Sequence, residues 1–373
     1  MKLTIDVVMP SFRLEEKYVL PVLRLPRPDN ADVKFYLMAD NPDIVPAESI
    51  RQLADSQHVF LYINEKNLGA SGTRNRGISV SQGDWILFLD DDVTVADDLL
   101  FRYADAAANY PDETGFIGLV HLPPPPGDFA RALIANGNVS IFSVAASKPS
   151  FTWGATANIM VKRSAIADIR FSASYPKAGG GEDVDFFLHV RDHNNGKNFK
   201  SLPEAAVTHP WWDDGRVNYK RPYRYGIGNS RLGKYNPGYT YRNLPNTPET
   251  ILLCMIVSGA LLFIAPCVSI PLLLFAIGSL PVELAATAAL LRKRSPGSSF
   301  TVIFHTTILK LLNDTGELWG KLTHGEFSRI TERFDDTGTV KKNVFFKTNT
   351  YKIVKWILYL LLATLIIATW RRP

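Results

Sequence analysis

Four strand-length apolar runs, Leu3–Met9, Val33–Ala39, Val59–Ile63 and Asp84–Leu89, open the chain. The stretches between them, Ile50–Asp55 and Ser71–Val80 among them, suit helices. Near-continuous hydrophobic strands alternating with helices predict an α/β fold with a mostly parallel sheet covered on both faces. Ligands of such sheets collect beyond the C-terminal strand ends. Asp40 and the triplet Asp90, Asp91 and Asp92 each follow a predicted strand, so one crevice can hold them.

Beyond residue 120 the pattern loosens. "HLPPPPGD" reads as a loop with polyproline character, and further apolar pieces follow at Thr152–Val161 and Phe186–Val190. At about residue 250 the character changes. Ile251 to Val282 holds no charged residue, and the run reaches Leu291 with only Glu283 inside it. A single helix of that length would be about 60 Å long, twice the hydrocarbon thickness of a bilayer, so a hairpin turning near Pro266–Pro271 is expected. A buried soluble helix pair is the alternative.

Phe300 to Leu322 carries a helical apolar stripe through Phe304, Ile308, Leu311 and Trp319, which suits a helix in the membrane interface or one packed on a globular domain. Ile353 to Trp370 is long enough to span. Lys341, Lys342, Lys347, Lys352 and Lys355 precede it, and Arg371 and Arg372 follow. The excess of charge upstream predicts a cytosolic N-side for this last segment.

Charge agrees with a membrane-facing tail. From Arg292 onward there are 14 Lys/Arg and 6 Asp/Glu, a net +8; the 27 and 30 that remain of the totals 41 and 36 leave residues 1–291 at −3. A basic tail on an acidic body argues against a nucleic-acid-binding core. The two cysteines, Cys254 and Cys267, lie inside the apolar run and read as inert thiols. "MKLTIDVVMPSF" lacks the pattern of a cleaved signal, so the first part of the chain is expected in the cytosol, with the whole protein a multi-pass membrane protein.

Three consecutive carboxylates at a strand end repel one another unless a cation neutralises them. In an extended segment Asp90 and Asp92 point to one side and Asp91 to the other, the geometry of a pair holding a hard divalent ion. A solvated turn is the plain alternative. Upstream stands "NLGASGTRNRGISVSQGDWILFLDDD", Asn67 to Asp92. In order and spacing it resembles family 2 glycosyltransferases of the GT-A fold: Asn67 and Gly69, then Arg74-Asn75-Arg76-Gly77, then Gly83-Asp84, then Asp90 and Asp92, with Thr73 where the family has alanine.

The resemblance implies further roles. Pro10-Ser11-Phe12 matches the loop that holds the base, and Asp40 the acidic residue on base or ribose, although "ADNP" replaces the usual Asp-Asp-x-Ser. Arg74 would face the donor phosphates or sugar, or form an ordinary ion pair. Asp90, Asp91, Asn67 and Gly69 complete the donor side, and Asp90, Asp92 and His209 would hold Mn²⁺ or Mg²⁺. "FTWGATANIMVKRSAI" resembles the acceptor segment through Trp153 and Gly154. In "GGGEDVDFF", Asp183 is the expected general base with Glu182 beside it; acidic residues also suit a helix N-terminus. Trp211 and Trp212 are candidates for stacking on a sugar or lipid head group. Arg221 and Arg224 stand where processive synthases carry Gln-x-x-Arg-Trp, and Tyr225–Gly228 resembles the flexible loop of non-processive members. The two arginines would close over the leaving diphosphate, or flank the membrane as a basic cluster.

Four segments are expected: a GT-A domain at 1–245, a transmembrane hairpin at 246–292, an interfacial helical segment at 293–350 and a transmembrane helix at 351–373. The implied activity is inverting, metal-dependent transfer of a sugar from a nucleotide-diphosphate donor to a hydroxyl of a lipid-linked or other glycan acceptor at the membrane. Alternatives are a polyprenyl-phosphate sugar synthase and a non-catalytic nucleotide-sugar-binding scaffold. A nucleotidyltransferase is disfavoured because "MPSFRLEE" offers no glycine after the first strand.

Overall fold

The computed structural model describes residues 2–55, 57–337 and 345–370. In chain order the elements begin β1 (Leu3–Ser11), α1 (Glu16–Leu23), β2 (Ala31–Ala39), α2 (Glu48–Leu53), β3 (Val59–Ile63) and α3 (Gly69–Val80). Next come β4 (Trp85–Leu89), β5 (Thr94–Val95), α4 (Leu99–Asn109), β6 (Gly115–His121), α5 (Asp128–Asn136) and α6 (Val144–Ser147). There follow β7 (Ser150–Phe151), β8 (Asn158–Lys162), α7 (Arg163–Ile166), α8 (Glu182–His193), β9 (Phe199–Thr208) and α9 (Lys220–Tyr235). The last are β10 (Thr240–Arg242), α10 (Thr247–Leu261), α11 (Pro266–Arg294), α12 (Phe300–Thr323), β11 (Glu332–Phe334) and α13 (Thr350–Trp370).

The four predicted N-terminal strands are present within two residues at each end. The chain forms two compact units, residues 1–125 with 139–214, and 126–138 with 215–373. The first is a mixed sheet in the order β3-β2-β1-β4-β8-β6-β9-β5, with β7 against β9. β3, β2, β1, β4, β6 and β9 share one direction; β8, β5 and β7 oppose it. Ile5, Val7, Val8, Leu37, Leu87 and Phe88 are fully buried, which explains why these strands read as unbroken apolar runs. Phe186–Val190, an apolar piece of undetermined type in the sequence, is the interior of α8.

Two strand connections are set by close contacts. Asp6, buried inside β1, accepts from the backbone N–H of Gln82 (2.7 Å) and Gly83 (2.5 Å), and a Cβ on Gly83 would stand 2.9 Å from its Cγ. Asp84 accepts from Thr4 Oγ1 at 2.7 Å. The Gly-Asp of the motif is therefore the turn that launches β4 alongside β1.

In the second unit α9 lies against α12 at backbone contact. A Cβ on Gly226 would fall 2.1 Å from the Asn313 carbonyl oxygen, and one on Gly316 2.0 Å from that of Tyr223. This corrects the expectation of a flexible Tyr-Gly-x-Gly loop: Tyr225–Gly228 is helical, and Gly226 serves close helix packing. α12 buries Val302, Leu309, Gly316 and Gly320 but leaves Phe300, Phe304 and Trp319 exposed. β10 and β11 pair antiparallel. Asn246 and Glu249 form a reciprocal capping box at the start of α10, and Arg333 of β11 pairs with Glu249.

The break between α10 and α11 falls at 262–265, ahead of Pro266, and Pro271 is accommodated inside α11. Among the described residues two helices are long and apolar enough to cross a membrane, α11 and α13; α10 is shorter. Of the flanking charges named from the sequence, Lys341, Lys342, Arg371 and Arg372 lie outside the described residues.

Candidate active site

The acidic triplet follows β4 directly, and β5 returns the chain antiparallel to β9 with Thr94 opposite Thr208. That register sets Asp92 beside His209, the residue that follows β9. Asp90, Asp92 and His209 each offer a ligand atom within 4.8 Å of the others, and His209 Nε2 stands 3.3 Å from Asp92 Oδ1. His209 Nδ1 lies 2.6 Å from the Pro210 carbonyl oxygen. A carbonyl only accepts, so the proton sits on Nδ1 and Nε2 presents a lone pair toward the carboxylates. Asp92 Oδ1 is buried with no hydrogen-bond partner. A buried, unsatisfied carboxylate oxygen beside a ligating imidazole lone pair fits a divalent cation. Burial pushes the Asp92 carboxyl up, Asp90 adding to the effect while His209 and Arg13 oppose it.

Asp91, in the turn that follows β4, faces the other way and accepts from Ser11 Oγ at 2.5 Å. Burial, with the charges of Asp92 and Asp90, raises its carboxyl to about 6; the Ser11 bond opposes the rise. Asp91, expected on the donor side, thus ties the triplet to the end of β1. Pro10 lies within β1 opposite Met38, whereas Phe12 just beyond it is exposed. Arg13 reaches Asp92 Oδ2 at 3.7 Å, a positive partner that the sequence reading did not single out.

Arg74, on α3, is buried. Its Nη2 donates to Asp90 Oδ1 at 3.0 Å, its Nη1 faces Glu182 Oε1 at 3.7 Å, and its guanidinium lies 5.8 Å from the Phe171 ring centroid. Nε and Nη1 have no hydrogen-bond partner. Leaving guanidinium donors buried and unpaired is costly, and an anionic ligand would satisfy them. α3 comes this close to the sheet because Gly77 rests on Val8, where a Cβ would be 2.4 Å from Cγ1.

Asp40 departs from expectation. Its Oδ1 accepts from Asn64 Nδ2 (2.8 Å) and Leu68 N (2.7 Å), and its Oδ2 from Gly69 N (2.8 Å). The carboxylate shapes the loop carrying Asn67 and Gly69 rather than standing free for a base or ribose. Asn67 Oδ1 also accepts from Gly69 N, and Gly69 has φ +72° with the Lys177 carbonyl oxygen 2.9 Å from a would-be Cβ, so only glycine fits. Thr73, in place of the family's alanine, accepts from Asn64 Nδ2 at 3.1 Å.

Gly179, Gly180 and Gly181 all have positive φ, which curls the loop so that Gly180 N donates to Glu182 Oε2 at 2.6 Å. Asp183 is the second residue of α8, with Oδ1 accepting from Val184 N at 2.9 Å. Desolvation, then the Glu182 charge, pushes its carboxyl up to about 7, against the pull of Arg74. A carboxylate tuned near neutrality suits proton abstraction.

The acceptor candidates divide. Trp153 is buried, and Gly154 is packed so closely on Ile117 and Ile159 that a Cβ would come within 2.8 Å of Ile159. Trp211 is a correction: it is buried, and its indole N–H donates to the Pro123 carbonyl (2.9 Å), pinning the polyproline stretch instead of offering a stacking face. Trp212 makes an edge contact with Phe142. Arg221 and Arg224 lie on α9 of the second unit, both turned to Tyr225. Asn64 and Phe171 are contributors that the sequence did not mark, and Ser11 was marked only within Pro10-Ser11-Phe12. Ser11 and Asn64 act through second-layer bonds; Phe171 underlies Arg74 from a segment with no motif.

The chain is similar to several known proteins. Residues 6–121 match the model of "Glycosyl transferase family 2". The chain is 29% identical over 215 residues to the succinoglycan biosynthesis protein ExoM of Rhizobium meliloti, covering 55% of this chain and 66% of that protein. It is 32% identical over 92 residues to the uncharacterized glycosyltransferase MJ1057 of Methanocaldococcus jannaschii, covering 24% of this chain and 31% of that one. The chain thus spans just under two thirds of one curated relative and under a third of the other. Among solved structures, the mannosyltransferase PcManGT from Pyrobaculum calidifontis, in complex with GDP-Man and Mn²⁺, aligns with TM-score 0.49 and 17% identity over 85% of this chain and 87% of that one. GalNAc-T7 with UDP, GalNAc and Mn²⁺ aligns with TM-score 0.44 and 14% identity over 64% and 49%. Over residues 6–121, then, the chain is similar to glycosyl transferase family 2.

Proposed function

We propose that the chain is an inverting, metal-dependent glycosyltransferase that moves a sugar from a nucleotide-diphosphate donor to a hydroxyl of a lipid-linked acceptor, working at the cytosolic membrane face. One observation carries the reading: the Asp90, Asp92 and His209 ligand atoms converge beside a buried guanidinium with unpaired N–H groups. These three residues would hold the cation, and the histidine nitrogen favours Mn²⁺ over Mg²⁺. When bound, the cation supplies positive charge next to the donor diphosphate.

The chain's own groups complete the chemistry. Arg74 donates to the diphosphate as negative charge builds on it, and its stacking over Phe171 fixes the fork. Asp183 takes the proton from the acceptor hydroxyl, whose oxygen attacks the anomeric carbon from the face opposite the departing diphosphate. Its neutral-range carboxyl favours a hydroxyl acceptor over an already anionic phosphate, which needs no base. Asp40, Ser11 and Asn64 hold the donor loop and the triplet in register. The charge-rich second unit, with two helices able to cross a bilayer, fits a membrane-bound acceptor.

The test is to incubate the detergent-solubilised protein with candidate nucleotide sugars and lipid-linked acceptors. Acceptor-dependent release of nucleoside diphosphate, with NMR of the product showing an anomeric configuration opposite to the donor's, supports the proposal. Retention of configuration, or release only with a polyprenyl phosphate acceptor, overturns the hydroxyl-acceptor mechanism.

A further inference from the structure

We propose that the α10–α11 hairpin does not cross the bilayer but enters from the side of its polar base and ends inside the hydrocarbon; this rests on the membrane-bound reading above. The base is fixed by a polar cluster that brings several helix ends to one level. Glu283 of α11 accepts from Thr247 Oγ1 at the start of α10 and from the hydroxyl of Tyr351 at the start of α13. Lys355 of α13 and Lys310 of α12 pair with it at 3.2 and 3.5 Å. Thr247 lies a few residues past β10, a polar two-stranded ladder, so this level belongs to the aqueous interface. Glu283 is thus the point where α11 leaves the apolar phase, and the remaining turns up to Arg292–Arg294 project toward water.

Length then decides how far the hairpin reaches. α10 has 15 residues, about 21 Å of helix, and Pro266 to Glu283 spans about 25 Å. The hydrocarbon layer is about 30 Å thick, and any tilt shortens the reach further. The tip chemistry points the same way. Phe263 is 92% exposed and Ile264 82%, and no charged residue lies between Ile251 and Val282 to anchor a far surface. The last polar side chains before the tip, Ser258 and Ser269, are buried and bonded to each other at 2.7 Å.

Part of the backbone at the turn is met internally. Ile264 N and Ala265 N donate to the Leu261 carbonyl, the Ala265 carbonyl accepts from Val268 N and Ser269 N, and Pro266 has no N–H to leave unpaired.

The experiment uses the full chain in sealed proteoliposomes, in a Cys254→Ala, Cys267→Ala background, with single thiols at Phe263→Cys and Lys293→Cys. Phe263 is exposed, so its replacement leaves packing intact. Labelled with an environment-sensitive fluorophore, position 263 is expected to be quenched more strongly by spin labels deep on the acyl chain than by head-group labels. Its free thiol is expected to resist an impermeant maleimide from either side, while Lys293→Cys reacts from one. Reaction of Phe263→Cys from the face opposite Lys293→Cys means the hairpin crosses and overturns the proposal; reaction from the same face places the tip outside the hydrocarbon and also overturns it. Release of the protein by alkaline carbonate would instead remove the membrane-bound reading itself.

Discussion

Replacing Asp183 by Asn separates the catalytic reading from a structural one, because the two effects have opposite signs. The native carboxyl sits at about 7 against a usual value of 3.8, chiefly through desolvation. Between those values the folded protein keeps a proton that the unfolded chain has released, so the wild type loses stability as pH rises through the window and stays penalised above it. About three pKa units at roughly 1.4 kcal/mol each is an upper bound near 4 kcal/mol. Asp183 retains some solvent contact, and screening reduces this to an expected ~1–2 kcal/mol. Asn keeps the bond from Val184 N and never ionises. Asp183→Asn is therefore expected to melt several degrees above the wild type at pH 8, with the gap opening between about pH 4 and 7 and constant beyond. Transfer activity is expected to fall about 10²- to 10⁴-fold, as loss of a general base implies. Fluorescence-monitored melting in detergent across pH 5–8, beside nucleotide-release assays, reads both effects. A variant active to within roughly fivefold of wild type refutes the assignment of the base, since base removal costs far more. A stability gap independent of pH refutes the desolvated carboxylate.

Other outcomes follow from single contacts. In the wild type kcat/KM is expected to rise tenfold per pH unit up to about 7 and then level, as Asp183 deprotonates; a flat profile from pH 5 contradicts this. Arg74→Lys keeps the charge but loses the planar fork over Phe171, so donor KM is expected to rise about tenfold or more while the melting point moves little. Gly226→Ala forces a methyl against the Asn313 carbonyl and is expected to destabilise the second unit by about 1–3 kcal/mol; no change in melting would contradict the close α9–α12 packing. Trp211→Phe removes the indole bond to Pro123 and is expected to cost about 1 kcal/mol of stability with donor binding intact, measurable by melting and titration side by side.

Much of this site was legible in the sequence, for physical reasons that also explain the failures. Buried strands are unbroken apolar runs, so β1 to β4 stood out; Asp90 and Asp92 do come together with Asp91 facing away, although in a turn beyond β4 rather than in an extended strand. His209 entered through family resemblance; its partnership with Asp92 depends on the β5–β9 register, which local pattern does not encode. Asp40 and Trp211 misled because residue type fits two uses: a carboxylate or indole that can meet a ligand can equally hold a loop. Tyr225–Gly228 misled for a related reason, since glycines that suggest mobility also allow two helix backbones to touch. Phe171 left no signal at all, because its role is a position beneath Arg74 created by the fold.

The most direct test of the central claim is calorimetric titration of nucleotide sugars into the solubilised protein with and without Mn²⁺, for wild type, Asp92→Asn and His209→Ala. Binding of one donor that requires the cation and is lost in both variants is the predicted result. Donor binding that is absent, or that is unchanged when the cation, the carboxylate or the imidazole is removed, would contradict a metal–diphosphate site at Asp90, Asp92 and His209.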